Sequence, residues 1–194
     1  MSKTQIPTGG IADDAISEEH LDATAITGTT ALAAQPASTD EFLISDAGTL
    51  KRLDATHMFN TPAVMVHNSA AQNCNTGTAT KITFDTELND SDGEFASNKW
   101  TAGTAGRYLF ICAVEMQSMG DAKENWLKVY KNGSAMVPTF TQFSGAGGYS
   151  NHITVMVNAA ATDYFEIYAL QNNGNTRQII AESAVWSITR VVGG

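Results

Sequence analysis

The chain has 194 residues, 43% of them hydrophobic, with a formal net charge of −9. That is enough for one medium domain plus an extension and too apolar for disorder throughout. An isoelectric point near 4.7 excludes a nucleic-acid partner that needs a basic face, and no apolar run approaches the ~18 residues of a membrane-inserting helix. The start, Met1-Ser2-Lys3-Thr4-Gln5-Ile6-Pro7, lacks the charged-then-apolar pattern of a signal peptide, so synthesis in a cytoplasm is expected. Cys74 and Cys112 are the only cysteines, one in a polar stretch and one in an apolar one, and they spell no disulfide framework or zinc signature.

The charge is uneven. Residues 1–60 carry nine acidic against three basic residues, a net of −6, and only Phe42 and Phe59 of the sixteen aromatics. A segment so poor in large apolar groups does not bury a core of its own. Ile6, Ile11, Ile16, Leu21 and Ile26 recur every five positions. A five-residue step rotates ~140° around a helix and switches faces in a flat strand, so neither element alone buries the set. Several identical chains wound round one axis would bury it; a flexible arm with chance spacing is the alternative. Ser17 is also a candidate N-cap for a short helix. Two apolar stretches, Phe42–Ile44 and Leu50–Leu53, then flank Asp46-Ala47-Gly48-Thr49, which predicts a β-hairpin.

Gly10-Ile11-Ala12-Asp13-Asp14-Ala15-Ile16-Ser17-Glu18-Glu19-His20-Leu21 and Asp40-Glu41-Phe42-Leu43-Ile44-Ser45-Asp46, with Gly48-Thr49-Leu50-Lys51-Arg52, resemble modules near the N-termini of bacteriophage tail-fibre and other virion-surface proteins. The resemblance implies trimeric winding and anchorage to other virion proteins. Residues 1–60 are therefore expected to form an extended trimerisation and attachment segment, in a protein located in the virion.

From residue 61 the text is a series of short strands: 62–66, 81–87, 106–117, 125–131, 137–143, 151–157, 164–171 and 183–192. Residues 67–80 read as a polar loop and 89–94 as an acidic turn. Asn132-Gly133 is a strong type I′ hairpin signal, because both residues tolerate positive φ. The most apolar strand, Gly106–Met116, reads as buried on both faces. Tyr108, Phe110, Cys112, Val114 and Met116 share one face, and Leu109, Ile111 and Ala113 the other. Short strands with turns and no helical period predict an all-β sandwich over 61–194.

Trp100-Thr101-Ala102-Gly103-Thr104-Ala105-Gly106-Arg107-Tyr108-Leu109-Phe110 resembles the signature of the complement C1q and tumour-necrosis-factor jelly rolls. Leu127, Val129 and Lys131-Asn132-Gly133 are similar to that family's next hairpin, and Trp186-Ser187-Ile188 to its terminal strand. Where the family writes Gly-Asp before its penultimate strand, this chain has Thr162-Asp163. The resemblance covers residues 61–194 and implies a C1q/TNF-like jelly-roll head that forms homotrimers through flat, aromatic-lined faces. Tyr108, Phe110, Tyr130, Tyr164 and Tyr168 are candidates for that interface or for the chain's own core.

No catalytic constellation is readable. His20, His57, His67 and His152 share no spacing with a nucleophile or carboxylate pair, and no Gly-x-Ser-x-Gly elbow or H-E-x-x-H motif occurs. No cofactor is expected. Two metal sites stay open: calcium at Asp90, Asp92 or Glu94, although the spacing does not fit an EF-hand loop, and an axial ion at His67 or His152 tripled in a trimer. Trp100, Trp126 and Tyr149 are either core or a carbohydrate-stacking surface; Trp126 and Tyr149 are the receptor-facing candidates. The expected function is a non-enzymatic trimeric phage fibre whose head meets a host-surface glycan or protein. The alternative is a capsid-decorating or connector protein with a mechanical role.

Overall fold

The computed structural model describes Gly10 and residues 27–59, 61–142 and 144–193, and the chain divides into two compact units, residues 1–60 and 61–194. Ile6, Ile11, Ile16, Leu21 and Ile26 lie outside the described residues. In the first unit, β1 (Glu41–Asp46) and β2 (Thr49–Asp54) form an antiparallel hairpin followed by one helical turn, α1 (Ala55–Phe59). Ala47 and Gly48, at φ 50° and 84°, make its turn, and Arg52 pairs with Glu41 at 2.9 Å. Leu43 and Leu50 are 76% and 71% exposed, whereas Phe42, Ile44 and Leu53 are half-buried.

The second unit is built from β3 (Ala63–His67), β4 (Gln72–Cys74), β5 (Thr80–Lys81), β6 (Thr86–Asp90), β7 (Phe95–Ala96), β8 (Lys99–Thr101), β9 (Gly106–Met119), β10 (Glu124–Lys131), β11 (Ser134–Gln142), β12 (Gly147–Ala159), β13 (Tyr164–Gln171), β14 (Arg177–Ile179) and β15 (Val185–Gly193). One sheet runs β4-β14-β9-β15-β3-β6, with β12 on the other side of β9. The other runs β11-β10-β13-β8-β7, with β5 beside β13. Every ladder is antiparallel, so each strand can bury alternate side chains between the sheets and turn the rest outward.

The core is aromatic. Phe110 meets Trp100, Phe165 and Trp186 at ring-centroid distances of 5.6, 5.1 and 5.4 Å, each edge-on. Trp186 extends the cluster to Phe84 at 5.6 Å and Phe95 at 6.0 Å. Strand β9 spans the sandwich, but within one chain it is buried on one face only. Tyr108, Phe110, Cys112, Val114 and Met116 point inward, while Ile111 is 49% exposed. The expectation of burial on both faces therefore fails inside a single chain.

Between Ile82 and Asp85 the expected strand loses its ladder, although Ile82 and Phe84 stay buried. Side chains take over two of its donors: Thr83 N–H donates to Gln72 Oε1 and Phe84 N–H to Asn98 Oδ1, both at 2.9 Å. The polar stretch 67–80 carries β4, held by β14 rather than by apolar content. Asn132 and Gly133 adopt φ 51° and 78°, the geometry their sequence predicts. Thr162 keeps a left-handed φ of 75°, so the turn survives without glycine, at a cost of about 1–2 kcal/mol for the β-branched residue.

That turn is tied to the Asn132 hairpin through Asp163. Its carboxyl accepts from Lys131 at 2.6 Å, Asn132 Nδ2 at 2.8 Å and Ala160 N–H at 2.8 Å. These bonds, Lys131 first, hold its pKa at about 2, below the ordinary carboxylate value. A carboxyl depressed in this way adds stability above about pH 4 that is lost as pH falls towards 2. Urea unfolding across that window is expected to show a decline that Asp163→Asn flattens. The effect is modest, because the pair is at the surface, and an unchanged pH profile in the variant would remove Asp163 from the account.

Candidate assembly and binding faces

Outside the core, the two sheets present chemically different faces. On the seven-stranded sheet, register stacks the outward side chains into three rows. Met156, Leu109, Thr189 and Ala63 form the first; Thr154, Ile111, Ser187 and Met65 the second; His152, Ala113, Val185 and His67 the third. No Asp, Glu, Lys or Arg stands in these rows. Met156, Ile111 and Met65 are 53%, 49% and 39% exposed, and Leu88, at 58%, adjoins them in a bulge of β6 opposite Met65 and Val66. Charge flanks the rows, with Arg107 and Glu115 on β9 and Glu87 on β6. An uncharged, methyl-rich sheet face is unusual on a water-exposed surface.

The outer face of the other sheet is aromatic and charged. Trp126, Lys128 and Tyr130 project from β10, and Tyr164, Glu166, Tyr168 and Leu170 from β13, all alternating with the core residues Leu127, Val129, Phe165, Ile167 and Ala169. The Tyr130 and Tyr168 rings stack at 4.1 Å between centroids, 35° apart. Lys81 donates to Glu166 Oε1 at 2.7 Å, and Lys99 Nζ sits 4.9 Å from the centre of the Tyr164 ring. Burial, and then the charge of Glu166, push the Tyr168 hydroxyl above its usual pKa. The outcome is a half-buried aromatic shelf with cations at its surface and one buried carboxylate, Glu166, beneath Lys81.

These placements sort the sequence candidates. Tyr130, Tyr164, Tyr168 and Trp126 share one outer face. Tyr108 and Phe110 do not join them: both are fully buried in the chain's own core, and the Tyr108 hydroxyl donates to Thr104 O at 2.7 Å. They are unavailable to a second copy. Trp100 is likewise core. Tyr149 lies on the other sheet, its ring against the core and its hydroxyl donating to Gly145 O at 2.9 Å. Leu109, Ile111 and Met156 were missed as surface candidates. Alternation separates their faces, but it does not say which face meets the opposite sheet.

The acidic turn is engaged in holding itself. Asp90 accepts from Glu94 N–H and Phe95 N–H at 3.1 and 2.9 Å, and Glu94 from Trp100 Nε1 and Gly103 N–H, both at 2.8 Å. Among the described residues no group of three or more His, Cys, Asp or Glu is placed to hold a metal ion. His67 and His152 end the third row of the uncharged face, separated by Ala113 and Val185. Burial raises the pKa of both thiols, Cys74 and Cys112, which disfavours nucleophilic thiolate at either.

No protein-family model and no curated protein matches the sequence. Among solved structures, the chain is similar to the globular domain of zebrafish complement 1qA protein, with 13% identity, 69% of this chain and 99% of that chain covered, and a TM-score of 0.50. It is also similar to Eiger TNF from S. frugiperda, with 9% identity, 69% and 94% coverage, and a TM-score of 0.49. With the two antiparallel sheets and their aromatic core, the likeness to the complement 1qA domain gives residues 61–194 a C1q-like jelly-roll fold.

Proposed function

We propose that the chain is a non-enzymatic virion structural protein, a short homotrimeric phage fibre. Residues 1–60 wind together and dock on the particle, and the jelly-roll head binds the host surface. The observation that carries this reading is the uncharged outer face centred on Ile111. C1q/TNF-like domains commonly form homotrimers, and two further copies are occupants that would remove that face from water. The opposite, aromatic face then stays free, with ring surfaces and charged groups suited to a glycan or protein on the host. Light scattering on the full chain is expected to give three times 20.6 kDa. A monomer overturns the assembly. A trimer that shows no selective ligand on host cells or glycan arrays supports a capsid-decorating role instead.

A further inference from the structure

One pocket belongs to neither face. Strand β14 pairs with β4 through Arg177↔Cys74, Gln178↔Asn73 and Ile179↔Gln72, while its ladder with β9 holds the single pair Ile179↔Met116. The ladder ends at that pair, two residues before Ser118, which takes a left-handed φ of 59°. Where the ladder ends lies a pocket of about 360 Å³ lined by Asn73, Gln117, Ser118, Thr176, Arg177 and Gln178. That volume falls in the ~300–1,000 Å³ range of ligand sites.

Every lining side chain is polar, and only one is charged. Arg177 Nε is buried and has no hydrogen-bond partner among the described residues. Arg177 is thus the one cation in the lining, and its guanidinium is not committed through Nε to any carboxylate among those residues, so an anion in the pocket can pair with it. Gln178 Nε2 donates to Asn73 Oδ1 at 3.3 Å and the Thr176 hydroxyl to Asn75 Oδ1 at 2.9 Å, so the rim is ordered from within.

We infer that this pocket binds the carboxylate of a sugar acid at the end of a saccharide. Arginine presents a planar fork that matches a carboxylate bidentately. A single cation balances one negative charge, which favours a monoanion over a phosphate dianion. The amides of Asn73, Gln117 and Gln178 and the hydroxyls of Ser118 and Thr176 offer donors and acceptors for sugar hydroxyls. No apolar side chain lines the pocket to reward a hydrophobic ligand. The inference deepens the host-binding reading by naming a ligand class, yet its test needs neither assembly nor cells, so the two fail separately.

The test is calorimetric titration of the full chain with glucuronate, glucose, acetate, inorganic phosphate and a short neutral peptide with a free C-terminus. Glucuronate is expected to bind at least tenfold more tightly than each of the others. Arg177→Gln, with an unchanged near-ultraviolet circular dichroism spectrum, is expected to abolish that preference, and Gln117→Ala to weaken glucuronate about threefold. If Arg177→Gln fails to fold, Gln117→Ala and Thr176→Val carry the same comparison. Equal binding of glucose, or unaltered glucuronate binding in the folded variants, overturns the site. Acetate, phosphate or the peptide binding as tightly as glucuronate overturns the sugar-acid assignment.

Discussion

Replacing Phe110 by alanine is expected to destabilise the 61–194 unit by about 3–5 kcal/mol, the range for removing a fully buried aromatic ring. The ring is the hub of the core: Trp100 and Phe165 reach it from one sheet and Trp186 from its own. Three of its neighbours are too large to close the hole by small shifts, so the cavity persists and the edge-on contacts are lost together. Stability of a typical domain is only ~5–15 kcal/mol, so the variant loses a large share of it. Urea denaturation followed by tryptophan fluorescence measures the loss, and a midpoint within error of wild type would show that the hub is elsewhere.

The jelly roll was legible where its signals are local. The alternation of 106–116 marked the two faces of β9, and Asn132-Gly133 fixed a turn whose φ values the structure reproduces. Strands of two or three polar residues were not legible. Strand β4 exists because β14 lies beside it, and nearby Asn68, buried among strand ends, donates to Ala70 O and Ile180 O while accepting from Ala184 N–H. Such elements are set by partners far away in the chain, which no window of sequence contains. The same limit explains Tyr108 and Tyr130. Both are tyrosines in alternating strands, yet one is core and the other shelf, because the choice depends on which face meets the opposite sheet. Arg177 gave no signal at all: its pocket lies where the ladder between β14 and β9 ends after a single pair.

One residue beyond Phe110, substitution has a different consequence. Ile111→Lys is expected to leave the single-chain fold intact and to break the assembly, because Ile111 points outward at the centre of the uncharged rows. In an assembled head an ammonium there would be taken from water with no carboxylate among its row neighbours Thr154, Ser187 and Met65. An unpaired buried charge costs several kcal/mol, and about 3 kcal/mol per protomer weakens each contact roughly a hundredfold. Sedimentation of the full chain over a dilution series is the measurement, with urea unfolding as the check on the fold. Met136→Lys is the control, since Met136 is 42% exposed but lies on β11 of the other sheet. An assembly constant unchanged by Ile111→Lys, or equally weakened by Met136→Lys, would place the self-contact elsewhere. A lower urea midpoint in Ile111→Lys would show that its cover comes from within the chain.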